Sequence, residues 1–152
     1  MILQYPSHAE LTRIADLTTA AAPAPLREIL DAEGILQLRQ WVRDVPLADT
    51  VKDYAVRLIL ATHAQANKNG GESLAQRYVM YGSSPRGLQS VILAAKARAL
   101  FAGRPNVSFD DIRTMLLPSL RHRLILNLEA DADGVNSDKI LTELIAHVAE
   151  VA

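Results

Sequence analysis

The stretch Ser84-Pro85-Arg86-Gly87-Leu88-Gln89-Ser90-Val91-Ile92-Leu93-Ala94-Ala95-Lys96-Ala97-Arg98-Ala99-Leu100-Phe101-Ala102 reads as a helix from end to end. Ser84 stands where an N-cap belongs. Pro85 follows at the first helical position, where its missing N–H costs nothing. Leu88, Val91, Ile92, Ala95, Ala99 and Ala102 share one face at helical spacing. The alanines on that face let neighbouring helices approach closely. Gly103-Arg104-Pro105 ends the run.

Working outward, the neighbours are helices as well. Ser108-Phe109-Asp110-Asp111 has capping-box spacing with Asp111 in place of the usual Glu, and Val107 and Ile112 form a hydrophobic staple across it. That helix runs to about Leu120 and ends or bends near Pro118. Asp131-Ala132-Asp133-Gly134 reads as a solvated turn, after which a last helix carries the stripe Ile140, Leu141, Leu144, Ile145 and Val148. On the other side, Leu74 to Met80 reads as a short extended stretch. Before it, a helix capped by Asp49 or Thr50 is expected to reach about Ala66, with Val51, Tyr54, Ala55, Leu58, Ile59 and Thr62 on one face. Asn67-Lys68-Asn69-Gly70-Gly71 ends it by turn chemistry. Val45-Pro46-Leu47 is an extended link to a helix that starts near Leu26 or Asp31 and ends near Arg43, with Ile35, Leu38 and Val42 as its stripe and Trp41 adding bulk. Ala20 to Pro25 is a proline-stiffened linker and the main internal boundary. The first helix, about His8 to Thr18, opens on the capping box Ser7-His8-Ala9-Glu10, with Leu11, Ile14 and Leu17 expected inward. The sum is a mainly α fold: a helical bundle of about five to six helices with at most two or three very short strands.

The 152 residues suffice for one domain with a real core, and 49% apolar content argues against disorder. Aromatics are 5%, so Leu, Ile, Val and Ala must build that core. The net charge of -1 gives no global pull toward nucleic acid or membrane, so any anion site must be local. There are no cysteines, which excludes disulfides and thiolate metal sites and suits a cytoplasmic location. No apolar run is long enough to span a bilayer, so no membrane insertion is expected. Met1-Ile2-Leu3-Gln4-Tyr5-Pro6 lacks the charged start of a signal peptide and reads as the last strand of a larger fold.

The chemistry of ATP hydrolysis is missing. No Gly-x-x-x-x-Gly-Lys-Ser/Thr loop occurs, and Gly70-Gly71-Glu72-Ser73 lacks the lysine and the preceding strand. No apolar run ends in Asp-Glu to hold Mg²⁺. His8, His63, His122 and His147 lie far apart without ligand spacing, and Asp131-Ala132-Asp133-Gly134 lacks the rest of a calcium-loop pattern. No catalytic residue and no metal site is expected within the chain.

One residue asks for a ligand. Arg86 falls in the first helical turn, where a cation opposes the positive end of the helix dipole. Spacing alone leaves two readings: an exposed arginine that curls back to a nearby Asp or Glu, or one that meets an anion where free N–H groups, the dipole and a guanidinium converge. A phosphate is the natural anion, because the guanidinium fork grips its oxygens in pairs.

Tyr81-Gly82-Ser83-Ser84-Pro85-Arg86 and the helix that follows resemble the Gly-Ala-Ser-Pro-Arg segment of MoxR-family AAA+ ATPases. In the same order, Asn106-Val107-Ser108-Phe109-Asp110-Asp111-Ile112 resembles the family's Tyr-Val-Thr-Pro-Asp-Asp-Val, and Pro118-Ser119-Leu120-Arg121-His122-Arg123 its Pro-Val-Leu-Arg-His-Arg. Tyr5-Pro6-Ser7 followed by Glu10 resembles its exit from the last core strand. The resemblance implies a helical lid, residues 26–152, behind the tail of an AAA+ core and connecting segment, residues 1–25. It implies that Arg86 is the sensor-2 arginine, with Ser84 and Pro85 setting its helix start. Ser83 stands where the family has Ala, and Gly87 where a larger residue is common; Gly87 is expected to loosen the first turn. The resemblance also implies ATP and Mg²⁺ bound by a core N-terminal to Met1, so that the chain is the C-terminal part of an ATPase. The expected partners are that core, a homo-oligomeric ring, often a hexamer, and von Willebrand factor A domain proteins. The expected role is chaperone-like remodelling or maturation.

Two further sets have two readings each. Leu11 and Ile14 either line an adenine pocket or pack in the core. Arg121, His122 and Arg123 either suit a helix C-terminus as cations or face the core or a neighbouring subunit. The competing function is a stand-alone helical module that binds protein or nucleic acid with no link to ATP, against which the near-neutral charge and the lack of a basic stripe weigh.

Overall fold

The computed structural model describes residues 4–20, 27–63 and 73–151. The chain divides into two units, Met1–Leu36 and Gln37–Ala152.

In the first unit, α1 (His8–Thr19) opens on the expected capping box. Ser7 Oγ accepts the Glu10 N–H at 3.4 Å, and the Glu10 carboxylate accepts the Ser7 N–H at 2.7 Å. These bonds hold the Glu10 carboxyl below its usual range. The expectation that Leu11, Ile14 and Leu17 turn inward is corrected: they are 53%, 48% and 62% exposed, and α1 buries no residue. An amphipathic stripe is covered only when a second layer lies over it, and none does so among the described residues. Ala20 closes α1; the rest of the expected linker lies outside the described residues. Before α2 (Ala32–Asp44), Asp31 Oδ1 accepts the Gly34 N–H at 2.8 Å. Leu38 and Val42 of its stripe are half-buried, while Ile35 and Trp41 are exposed.

The second unit begins within α2, at Gln37, so that Leu38, Trp41 and Val42 belong to it, and holds α3 (Asp49–Ala61), α4 (Leu74–Tyr78), β1 (Val79–Tyr81), α5 (Pro85–Phe101), α6 (Phe109–Leu120), β2 (Ile125–Leu126), α7 (Leu128–Ala132) and α8 (Ser137–His147). Its core is aliphatic. Tyr54, Ala55 and Leu58 of α3, Val91, Ala95 and Ala99 of α5, Ile112, Leu116 and Leu120 of α6, and Ile140 and Leu141 of α8 are all fully buried. Each large side chain among them contributes about 1.5–3 kcal/mol of burial. The most extensive contact between helices is that of α5 with α6, and the small Ala95 and Ala99 lie fully buried on α5. Val107 and Ile112, the staple pair, are both fully buried. β1 and β2 pair antiparallel, Val79 with Leu126 and Tyr81 with Ile125, with an irregularity between.

Several boundaries differ from expectation. The N-cap of α3 is Ala48; Asp49 is already helical and instead pairs with Lys52 at 2.6 Å. The helix stops at Ala61, because the Thr62 hydroxyl and N–H both turn back onto the Ile59 carbonyl, at 2.6 and 3.1 Å. Residues 64–72, with the expected helix end and Asn67–Gly71 turn, lie outside the described residues. Leu74 to Tyr78 is a one-turn helix, with only Val79 to Tyr81 extended, since Ser73 and Gln76 form a reciprocal cap. The Asp131–Gly134 turn is preceded by a further one-turn helix, α7, capped by Asn127. These two short helices raise the number of helices to eight among the described residues. Ala102 is exposed rather than part of the buried α5 face.

Candidate functional site

The start of α5 differs from every other helix start that has a polar cap residue. Ser7, Ser73, Ser108, Asn127 and Asn136 each accept a backbone N–H of their own helix through the side chain. Ser84 holds the N-cap position, with Pro85 next to it, but its side chain makes no cap hydrogen bond. The Ser84 carbonyl instead accepts the Gly87 N–H at 2.8 Å, which tightens the first turn. Among the described residues no group accepts the Arg86 N–H. With Pro85 carrying no N–H and the Gly87 N–H engaged, the Arg86 N–H is the donor of this turn that remains available to an anion.

Arg86 projects from this turn and is exposed. Among the described residues its guanidinium has neither an ion-pair nor a hydrogen-bond partner. From α3 onward the other arginines are engaged, whereas Arg39 and Arg43 of α2 show no side-chain partner among the described residues. Arg57 meets Asp53 at 2.8 Å, Arg121 meets Asp138 at 3.0 Å, and Arg98 and Arg104 converge on the fully buried Asp111. Arg104 foremost, with the Ser108 N–H and hydroxyl and Arg98, holds the Asp111 carboxyl far below the usual carboxylate range against the opposing effect of burial.

The residues around the turn are tightly placed. Gly87 is buried, and a Cβ there would stand 1.9 Å from Ser83 Oγ and 3.0 Å from Leu120 Cδ2. Gly87 therefore does not loosen the first turn; it is the space that a buried Ser83 side chain requires. Downstream, Ser90 Oγ donates to the Arg86 carbonyl at 2.9 Å, and Arg123 Nη2 donates to Ser90 Oγ at 3.2 Å. Arg123 also donates through Nε to the Ser119 carbonyl at 3.1 Å. The basic cluster thus turns largely inward: Arg121 braces α8 and Arg123 braces the first turn of α5, while His122 is exposed.

Of the residues singled out in the sequence, the structure brings Ser84, Pro85, Arg86 and, through Ser90, Arg123 to one place. Leu11 and Ile14 lie in the first unit, where Ile14 lines a shallow apolar groove with Tyr5, Pro6 and Leu17. Sequence reading missed Ser90, whose role depends on Arg123 arriving from 33 residues away. The donor set fits a phosphate: a free guanidinium beside an uncapped helix start. Among the described residues no group of three or more His, Asp or Glu side chains could hold a metal ion, and no helix is long and apolar enough to cross a membrane.

Residues 71–144 match the AAA lid domain. The chain is 29% identical over 145 residues to Chaperone MoxR1 of Mycobacterium tuberculosis, covering 95% of this chain and 38% of that protein. It is 42% identical over 53 residues to Protein MoxR of Paracoccus denitrificans, covering 35% of this chain and 16% of that protein. A crystal structure of a provisionally named ATPase from Cytophaga hutchinsonii superposes with a TM-score of 0.80 at 26% identity, over 99% of this chain and 45% of that one. The chain spans about two fifths of the length of the curated relatives it matches, 38% and 42% for the longest alignments.

Proposed function

We propose, for a chain that belongs to the AAA lid domains of the MoxR-family AAA+ ATPases, that Arg86 is its nucleotide sensor and reports on ATP held by a separate AAA+ core. The observation that supports this is the pairing of a free, exposed guanidinium with a helix start left uncapped by a serine positioned to cap it. A stability role is poorly served by that arrangement, since the cation faces the positive end of a helix dipole at a cost of about 0.3–1 kcal/mol. A γ-phosphate reverses the sign: the dipole, the open Arg86 N–H and the guanidinium then all favour the same anion.

In this reading residues 26–152 form the lid and residues 1–25 the tail of the core with its connection. The core supplies the phosphate loop and the carboxylates that hold Mg²⁺, which neutralises charge on the transferred phosphoryl group. The lid contributes a guanidinium whose contact with that group is made or lost as nucleotide turns over. Leu11 and Ile14, both exposed on α1, are available to line the adenine side. His122 is the exposed member of the Arg121–Arg123 cluster and is assigned to a contact with the core or a neighbouring subunit. The whole protein is read as a cytoplasmic ring, a hexamer by family resemblance, that remodels or matures other proteins, with von Willebrand factor A domain proteins as partners. The chaperone name of one relative supports the remodelling role.

The test is Arg86→Ala in the full-length protein. ATP turnover is expected to fall about ten-fold or more, with circular dichroism unchanged and the unfolding midpoint not lowered, because among the described residues Arg86 has no partner to lose. Normal turnover by the folded variant would remove the sensor role.

A further inference from the structure

Among the described residues the Arg86 side chain has no hydrogen-bond or ion-pair partner to aim it, so what aims it there must act through the backbone of the turn that carries it. That backbone is gripped by the end of α3. Thr62 is fully buried; its Oγ1 accepts the Ser83 N–H at 2.9 Å and donates to the Ile59 carbonyl at 2.6 Å. The next residue, His63, donates its Nε2–H to the Ser83 carbonyl at 3.1 Å. Both backbone polar groups of Ser83 are therefore held by two consecutive residues of one helix end. Gly82 makes the approach possible: a Cβ there would stand 2.7 Å from the Thr62 carbonyl oxygen, 2.8 Å from Thr62 Oγ1 and 2.9 Å from His63 Cγ. On the far side, Ser83 Oγ fills the space left by Gly87, beside Leu120. The segment is closed from both flanks three residues before Arg86.

We infer that Thr62 and His63 are positioning residues for Arg86: by clamping Ser83 they set the place and direction of the first turn of α5, and with it the reach of the guanidinium. The inference rests on the reading of Arg86 as the nucleotide-contacting residue. A misplacement of about 1 Å at a reacting group costs on the order of 100-fold in rate, so a long side chain anchored only at its base gains from a rigid base. His63 carries the cleaner test, because it is exposed and its removal leaves no buried group of its own unsatisfied.

The experiment is steady-state ATP turnover of the full-length protein with His63→Ala, Thr62→Val, Thr62→Ser and Arg86→Ala, singly, and with His63→Ala and Thr62→Val each combined with Arg86→Ala. Expected is a fall in kcat of about ten-fold for His63→Ala and Thr62→Val, little change in KM for ATP, and near-normal turnover for Thr62→Ser, which keeps the hydroxyl. On the Arg86→Ala background the same substitutions should add nothing. A slow Arg86→Ala protein beside a normal His63→Ala protein overturns the positioning role and leaves the sensor standing. So does a His63→Ala effect that persists in full without Arg86. A normal Arg86→Ala protein removes the sensor and this inference with it. If Thr62→Val fails to fold, the His63→Ala single and double variants decide the matter.

Discussion

Gly87 is the residue where a local rule misleads. In a helix interior Gly costs about 0.8–1 kcal/mol relative to Ala, so Gly87→Ala would be expected to stabilise. The structure reverses the sign, because the new methyl would meet Ser83 Oγ at 1.9 Å and Leu120 Cδ2 at 3.0 Å. Overpacking of this kind costs about 1–3 kcal/mol, enough to outweigh the propensity gain. Urea unfolding should show Gly87→Ala destabilised by about 1–2 kcal/mol, with much of the loss recovered in Ser83→Ala/Gly87→Ala, where the clashing oxygen is gone. Asp111 is a second such residue. Its side chain is fully buried among Arg104, Arg98 and Ser108, and Asp111→Asn should cost about 3–5 kcal/mol, as breaking a buried ion pair does. Its carboxyl is depressed in the folded state, so the unfolded chain takes up a proton more readily than the folded one. The stabilisation is complete at neutral pH and is lost as acidification passes below the unfolded carboxylate value of about 3.9. Acid titrations of wild type and Asp111→Asn should converge at the acid end; parallel curves would rule out this role. Arg86 was legible in the sequence as a misplaced cation, whereas its lack of a partner among the described residues was not, since that depends on carboxylates distant in the chain.

At the scale of elements, the caps carry most of what was legible. The Ser7, Ser108 and Val107–Ile112 signatures are local spacings, and each forms as written. The one-turn helices α4 and α7 escaped because five residues display no helical period, although Ser73-Leu74-Ala75-Gln76 carries a capping box that a stricter reading would have found. The caps also separate stability from function. Ser108→Ala removes a side-chain cap and a contact to Asp111, and should cost about 1–2 kcal/mol. Ser84→Ala removes no cap bond and should shift the urea midpoint by no more than about 0.5 kcal/mol. A loss at Ser84 as large as that at Ser108 would mean that its hydroxyl caps α5 in solution and that the helix start is not open.

At the scale of the whole molecule, the two units differ in kind. The second buries a continuous core across α3, α5, α6 and α8, while α1 in the first buries none of its residues. Deleting residues 1–30 should therefore leave the melting temperature of the remainder within about 4 °C, the shift that ~1 kcal/mol produces in a domain of this size. A larger loss would show that α1 contributes to the stability of the second unit. By itself the sequence determined the helical class, the main caps, the buried faces of α3, α5 (Ala102 apart) and α8, and the presence of a cation at the wrong end of a helix. These follow from spacings of a few residues, in which the period of the backbone dictates which side chains share a face. Only the tertiary structure decided that Arg86 has no counter-ion among the described residues, that Ser83 and Gly87 share one space, that Thr62 and His63 hold the turn before Arg86, and that Leu11, Ile14 and Leu17 are exposed. The reason is physical: partnership, clash and burial are set by groups that lie far apart along the chain and meet only when it is folded.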